Sequence, residues 1–189
     1  MRVVVSETDF PSVLAAARLG AEWAWTVVYR DLSPTVLRYL RAHGAREPED
    51  VLGDVFVQVV RKLHDFSGDE RDFRAWVFTI ARNRLTDEWR RDGRRPVDYV
   101  TDEVLAGCAT DVGNTEDEAM RRLAEQRVRS VIDELSPDQR DVLFLRLLAG
   151  FTIEEVAAVV GKRPGAVKAL QARGIAAIRR EISRKAVTL

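Results

Sequence analysis

Two stretches of this chain carry side chains suited to holding a polyanion. Between Lys162 and Lys185 eight basic residues (Lys162, Arg163, Lys168, Arg173, Arg179, Arg180, Arg184, Lys185) stand against one acid, Glu181. That local excess suits a phosphate backbone, because each neutralised phosphate adds to affinity by releasing counterions. Between Arg71 and Arg95 eight arginines stand against four acids (Asp72, Asp87, Glu88, Asp92), with aromatic rings and Asn83 interleaved. Rings and planar guanidinium groups stack on unpaired bases, cations hold the backbone, and an amide reads base edges. The second stretch is therefore suited to single-stranded nucleic acid. Most of its aromatics belong to a core by number; Phe66, Phe73 and Phe78, in or near the loop Phe66-Ser67-Gly68-Asp69, are the stacking candidates.

No residue set points to catalysis. His43 and His64 have no metal-ligand spacing and read as surface histidines, no glycine-rich phosphate loop is present, and the carboxylates fall on outward helix faces. The expectation is no catalytic residue, no metal and no cofactor. One cysteine, Cys108, excludes an intramolecular disulfide and suits a reducing compartment. No long apolar run follows Met1, so neither a signal peptide nor membrane insertion is expected, and the expected location is cytoplasmic. The formal net charge is zero, so nucleic-acid affinity must come from charge separated along the chain.

The elements that position these residues are helical. In Phe151 to Ile182, Thr152 with Glu155 forms a capping box, and Ile153, Val156, Ala157 and Val160 fall on one face. Gly161 ends that helix and Pro164 starts the next, which turns Val167, Leu170, Ile175 and Ile178 inward. Two short helices around a glycine turn match a helix-turn-helix, whose second helix enters the major groove. Val13 to His43 is helical in pattern, with a boundary expected at Ser33-Pro34. A helix from Pro48 to Leu63 turns Val51, Val55, Val59 and Leu63 inward, joined by Leu52, Phe56 and Val60; Asp50, Asp54, Gln58 and Arg61 share the opposite face. A third runs from about Phe73 to Asp92. Val97 to Glu118 holds seven acids and no Lys or Arg, and reads as a linker between two helical units. Thr115 with Glu118, and Ser136 with Pro137 and Gln139, cap two further helices; the second is expected to bury Val142, Leu143, Leu145 and Leu147.

The fold class is thus all-α: two small helical domains, residues 1–96 and 118–189, joined by an acidic linker at 97–117. Taken alone, the helix-turn-helix also fits an ordinary regulator whose N-terminal unit senses a ligand or dimerises. A helical adaptor with merely solubilising basic patches is a third reading.

The order of parts resembles a bacterial RNA polymerase sigma factor of the extracytoplasmic-function (ECF) group of the sigma-70 family. PEDVLGDVFVQVVRKLHDF is similar to the helix that docks on the clamp coiled coil of the polymerase's largest subunit, and Asp50, Asp54 and Gln58 fall on its docking face. DFRAWVFTIARNRLTDEWRRDGRRP is similar to the segment that melts the promoter and reads the −10 element; it is the most specific of the three. The resemblance implies that Phe66, Phe78 and Asn83 shape a pocket for a flipped-out base, and that Arg90, Arg91, Arg94 and Arg95 hold the backbone. LSPDQRDVLFLRLLAGFTIEEVAAVVGKRPGAVKALQARG is similar to the fourth sigma domain, whose last helix reads the −35 element through Lys168 and Arg173. Ala169, Leu170 and Ala172 depart from the usual larger or polar residues there, which shifts discrimination toward Gln171 and Arg173. Arg163 is a poor helix cap, so that start is expected to lean on a phosphate. The implied partners are core RNA polymerase, through the clamp coiled coil and the flap of the second-largest subunit, promoter DNA, and an anti-sigma factor.

Overall fold

A computed structural model of the chain describes residues 10–92, 132 and 134–186, and over these residues it holds seven α-helices and no strand. In the first unit α1 is Phe10–Arg18, α2 Glu22–Ala42, α3 Pro48–Lys62 and α4 Glu70–Asp92, with a short 3-10 turn, Leu63–Asp65, after α3. In the second, α5 is Pro137–Leu147, α6 Ile153–Val160 and α7 Pro164–Ala186. The all-α expectation holds. The capping box at Thr115 lies outside the described residues.

Local chemistry sets most helix ends. The Ser136 hydroxyl accepts from the Gln139 amide while Gln139 reaches back to the Ser136 amide, and Thr152 with Glu155 repeats the exchange. Each pair satisfies two amides that the first helical turn leaves without partners. Pro48, Pro137 and Pro164 open their helices where a missing N–H costs nothing. Gly161 closes α6 at φ 66°, a left-handed conformation that side chains resist.

The N-terminal helix breaks elsewhere than expected. Gly20, at φ 81°, ends α1, with the Ala21 amide donating to the Ala16 carbonyl at 3.0 Å. Pro34 instead lies inside α2. The carbonyl it leaves without a partner is that of Arg30, and both residues are exposed, so water can take that bond.

Apolar faces then meet. Leu32, Val36 and Leu40 of α2, Val55 and Val59 of α3, and Val77, Ala81 and Leu85 of α4 are all buried in one core. Burying each of these Val and Leu side chains contributes about 1.5–3 kcal/mol. Phe10 anchors α1 against Phe73 of α4 with ring centres 5.6 Å apart. In the second unit α7 crosses α5 at Gly174, where an added Cβ would stand 2.8 Å from Leu143 Cδ1. Glycine permits that approach without displacing Leu143.

The same core continues from one unit into the other. Helix α6 lies on α4, Phe151 packs edge-on to Phe78 at 5.2 Å, and Phe144 packs edge-on to Tyr39 at 5.4 Å. Two inward expectations and one outward expectation need correction. Leu147 is 63% exposed, because α5 turns Asp141 inward on its other side; Val60 is 51% exposed on α3; and His43, read as a surface residue, is 3% exposed.

Candidate nucleic-acid interface

Helix α4 buries Val77, Ala81 and Leu85, so helical periodicity sends Ile80, Asn83, Asp87 and Arg90 to another side. Asn83 and Arg90 are exposed. With Arg82, Arg84, Thr86 and, from α3, Gln58 and Lys62, they line an open cavity of about 480 Å³. An amide with two donors and an acceptor, among four cations, can read and hold a nucleotide. Arg90 also lies 3.6 Å from Asp87, and Arg91 Nε donates to the Asp87 carbonyl at 3.3 Å. Arg94 and Arg95 lie outside the described residues.

The aromatic candidates are placed differently from expectation. Phe66 is 9% exposed and sits among Phe73 and Trp76, with centroids at 5.3 and 5.2 Å. Phe78 is 1% exposed and faces Tyr39 and Phe151. Neither ring offers a free face for stacking in this arrangement, and within the shared core the two have different ring partners. The reason is helical phase. Phe78 is one residue from Val77, inside the buried stripe, and five from Asn83, which points elsewhere.

On α3, Asp50 and Asp54 are exposed and Gln58 is half-buried, with Val57 and Val60 also exposed beside them. Two acids with two valines in the open suit a protein partner better than a nucleic acid. Helix α7 buries Val167 and Leu170 and leaves Arg163, Lys168 and Arg173 exposed, with Gln171 half-buried. Ala166, Ala169 and Ala172 are exposed between them, which keeps that face low and lets a duplex come close. Arg173 Nε donates to the Ala169 carbonyl at 3.2 Å, laying the guanidinium along the helix.

A buried polar cluster between the units has no counterpart in the reading of the sequence. Asp141 of α5 is 6% exposed. Its Oδ1 accepts from the Tyr39 hydroxyl at 2.8 Å and lies 3.1 Å from His43 Nε2; its Oδ2 accepts from Arg82 Nε at 2.9 Å. The other His43 nitrogen, Nδ1, stands 2.7 Å from the Tyr39 carbonyl. Burial alone would push the Asp141 carboxyl up, but His43 and Arg82 outweigh it and hold it down at about 2. Tyr39 is pushed well up, first by burial and then by the Asp141 charge. For Arg82, burial works against the charge and is outweighed by Asp141, which raises it. Asp141, flanked by Arg140 in a polar opening turn, carries no local signal of this role, since all three partners are at least 59 residues away in sequence.

Comparison with known proteins matches residues 28–95 to Sigma-70 region 2 and residues 125–178 to Sigma-70, region 4. The chain is 33% identical to the ECF RNA polymerase sigma factor BldN of Streptomyces coelicolor, over 87% of this chain and 62% of that protein. It is 34% identical to the RNA polymerase sigma factor CnrH of Cupriavidus metallidurans, over 87% of this chain and 88% of CnrH. It is 30% identical to the ECF RNA polymerase sigma factor ShbA of Streptomyces griseus, over 77% of this chain and 81% of that one. The solved structure of CnrH in complex with the cytosolic domain of CnrY superposes with a TM-score of 0.67 at 25% identity, covering 93% of this chain and 97% of that one.

Proposed function

The chain belongs to the ECF group of the sigma-70 family, and from that premise we propose that it joins core RNA polymerase and directs it to promoters bearing paired −10 and −35 elements. It is a transcription-initiation factor, and it supplies no active site of its own. The observation that carries this is the order of the two matched regions along the chain, each on a helical unit that offers cations and an amide outward. Residues 1–96 act as the docking and melting unit, 97–117 as the acidic link, and 118–189 as the −35 unit.

Within this reading Asn83 takes an unstacked base, while Arg90, Arg91, Arg94 and Arg95 hold the strand on either side. Capturing the base offsets an unstacking cost of about a few kcal/mol. Phe66 and Phe78 contribute only by bracing α4 from behind, unless the units separate and uncover Phe78. Asp50, Asp54 and Gln58 dock on the polymerase clamp, with Val57 and Val60 as the apolar part of that contact. Lys168, Gln171 and Arg173 meet the −35 duplex, and Arg163 with the start of α7 meets a phosphate there. The CnrH structure holds the cytosolic domain of CnrY; a protein partner, here an anti-sigma factor, belongs to the reading of this chain as well. Among the described residues no helix is long and apolar enough to cross a membrane.

Run-off transcription tests this directly. Purified chain added to core polymerase from which all sigma has been removed should yield discrete promoter-dependent products. Products that appear equally without the chain sink the reading.

A further inference from the structure

Helices α4, α6 and α7 are packed in sequence, α6 on α4 and α7 on α6. Packed helix axes lie about 8–10 Å apart, so α4 and α7 are separated by about 20 Å. Each has 23 residues, about 35 Å of helix, and a compact chain of this length is only about 40 Å across. The −10 and −35 elements are centred about 25 base pairs apart, roughly 85 Å of duplex at 3.4 Å per pair. The closed arrangement therefore cannot serve both elements at once. It also covers Phe78 with Phe151 and ties Arg82, on the wall of the Asn83 cavity, to Asp141.

We propose that the buried Asp141 carboxylate is an intramolecular latch, which holds the second unit over α4 through Tyr39, His43 and Arg82 and must release before both promoter elements are engaged. This rests on the sigma-factor reading above. The chemistry favours a latch over plain adhesion. An apolar seam, such as Phe78 on Phe151, is non-directional and holds two surfaces without fixing any one pairing of atoms. A buried carboxylate with three polar partners is different, because removing it strands them in a water-poor interface. Contact is then close to all-or-none. The partners also divide cleanly: Asp141 comes from the second unit, and Tyr39, His43 and Arg82 all come from the first. Binding that needs the open form is weakened by the fraction of molecules that are open. The latch thus keeps the free chain from engaging DNA until polymerase draws the units apart.

Small-angle scattering and DNA binding on the full chain test it, with Asp141→Ala as the first variant. A compact 189-residue chain has a radius of gyration of about 16 Å, and the variant should exceed the wild type by about a quarter or more as the units part. Its affinity for a fluorescent, random-sequence single-stranded 20-mer should rise about tenfold, as the open fraction approaches one. Tyr39→Phe, which keeps the ring and removes only the hydroxyl donated to Asp141, should move both readouts the same way by less. It is read in place of Asp141→Ala if circular dichroism shows that variant to have lost helix. Unchanged size and affinity in a variant that keeps its helix overturn the latch, and so does a wild type already expanded. Run-off transcription with wild-type chain separates the two levels: normal products alongside unmoved scattering sink the latch alone, whereas absent products sink the sigma reading beneath it.

Discussion

Helices α4 and α7 are each 23 residues long and arginine-rich, yet their cations are used in opposite ways. On α4, Arg74 meets Asp31 at 3.0 Å, Arg82 meets Asp141 at 2.9 Å and Arg90 lies 3.6 Å from Asp87. On α7, Arg173, Lys168, Arg179 and Arg180 are exposed and have no acidic partner among the described residues. One helix is a structural wall whose charges are partly spent on the fold. The other is an edge whose charges are left for something outside the chain. Equal length and a shared wealth of arginine therefore do not mean equal role; the distribution of nearby carboxylates decides it.

The largest expected effect tests whether α4 is a wall. Phe78 is fully buried between Tyr39 and Phe151. Phe78→Ala should cost about 3–5 kcal/mol in urea unfolding, from lost transfer energy and the cavity left behind. A cost under about 1 kcal/mol would place the ring outside the core and dissolve the contrast with α7.

Next in size is the acid response of the seam between the units. The Asp141 carboxyl is held at about 2, below the ordinary value near 4. A group depressed in this way contributes above its ordinary value and loses that contribution as pH falls through its value in the closed chain. A depression of that size corresponds to about 2–3 kcal/mol. Scattering of wild type between pH 5 and pH 2 should therefore show expansion beyond that of Asp141→Asn, which has no carboxyl to titrate at this position. Parallel curves for the two proteins would remove Asp141 from the acid response.

On α7 the expected effects are smaller and depend on sequence. Arg173→Ala should cost about 1–3 kcal/mol in binding a −35 duplex if the guanidinium reaches a base edge. The loss should be confined to the cognate sequence. A uniform loss on every duplex would make Arg173 a phosphate contact and bring it level with Lys168.

The same contrast explains how far the sequence could be read. Capping boxes at Ser136 and Thr152, the glycine at 161 and the prolines at 48, 137 and 164 act within one helical turn, so type and spacing suffice to find them. The outward placement of Asn83 and Arg173 follows equally from periodicity. What periodicity could not supply was the meeting of the two units. Asp141 reads as one more polar residue in a helix opening, and its burial depends on Tyr39, 102 residues away. His43 was read as a surface group for the same reason. The aromatics of α4 misled in another way, because interleaving with arginine in sequence does not place rings and cations on one face. Phe78 and Asn83 are five residues apart and diverge.

The smallest effect is the sharpest test of α7 as a free edge. Lys168 is exposed, has no acidic partner among the described residues, and can contribute only by displacing counterions from a phosphate. Lys168→Ala should then lower the salt slope of duplex binding by about 0.9, and cost about 1 kcal/mol at 0.15 M salt, on any sequence. An arginine already paired with a carboxylate should behave otherwise, since it must first give up that partner. Arg90→Ala, measured on single-stranded DNA, should change the slope by less than Lys168→Ala does on duplex, because Asp87 already neutralises part of its charge. Single strands also carry a weaker intrinsic dependence, about 0.7 per phosphate, so the comparison is made after scaling each slope to its own polymer. Equal scaled slopes would mean that the Asp87 contact is given up without cost on binding. The difference between wall and edge would then lie in burial alone, and charge pairing would play no part in it.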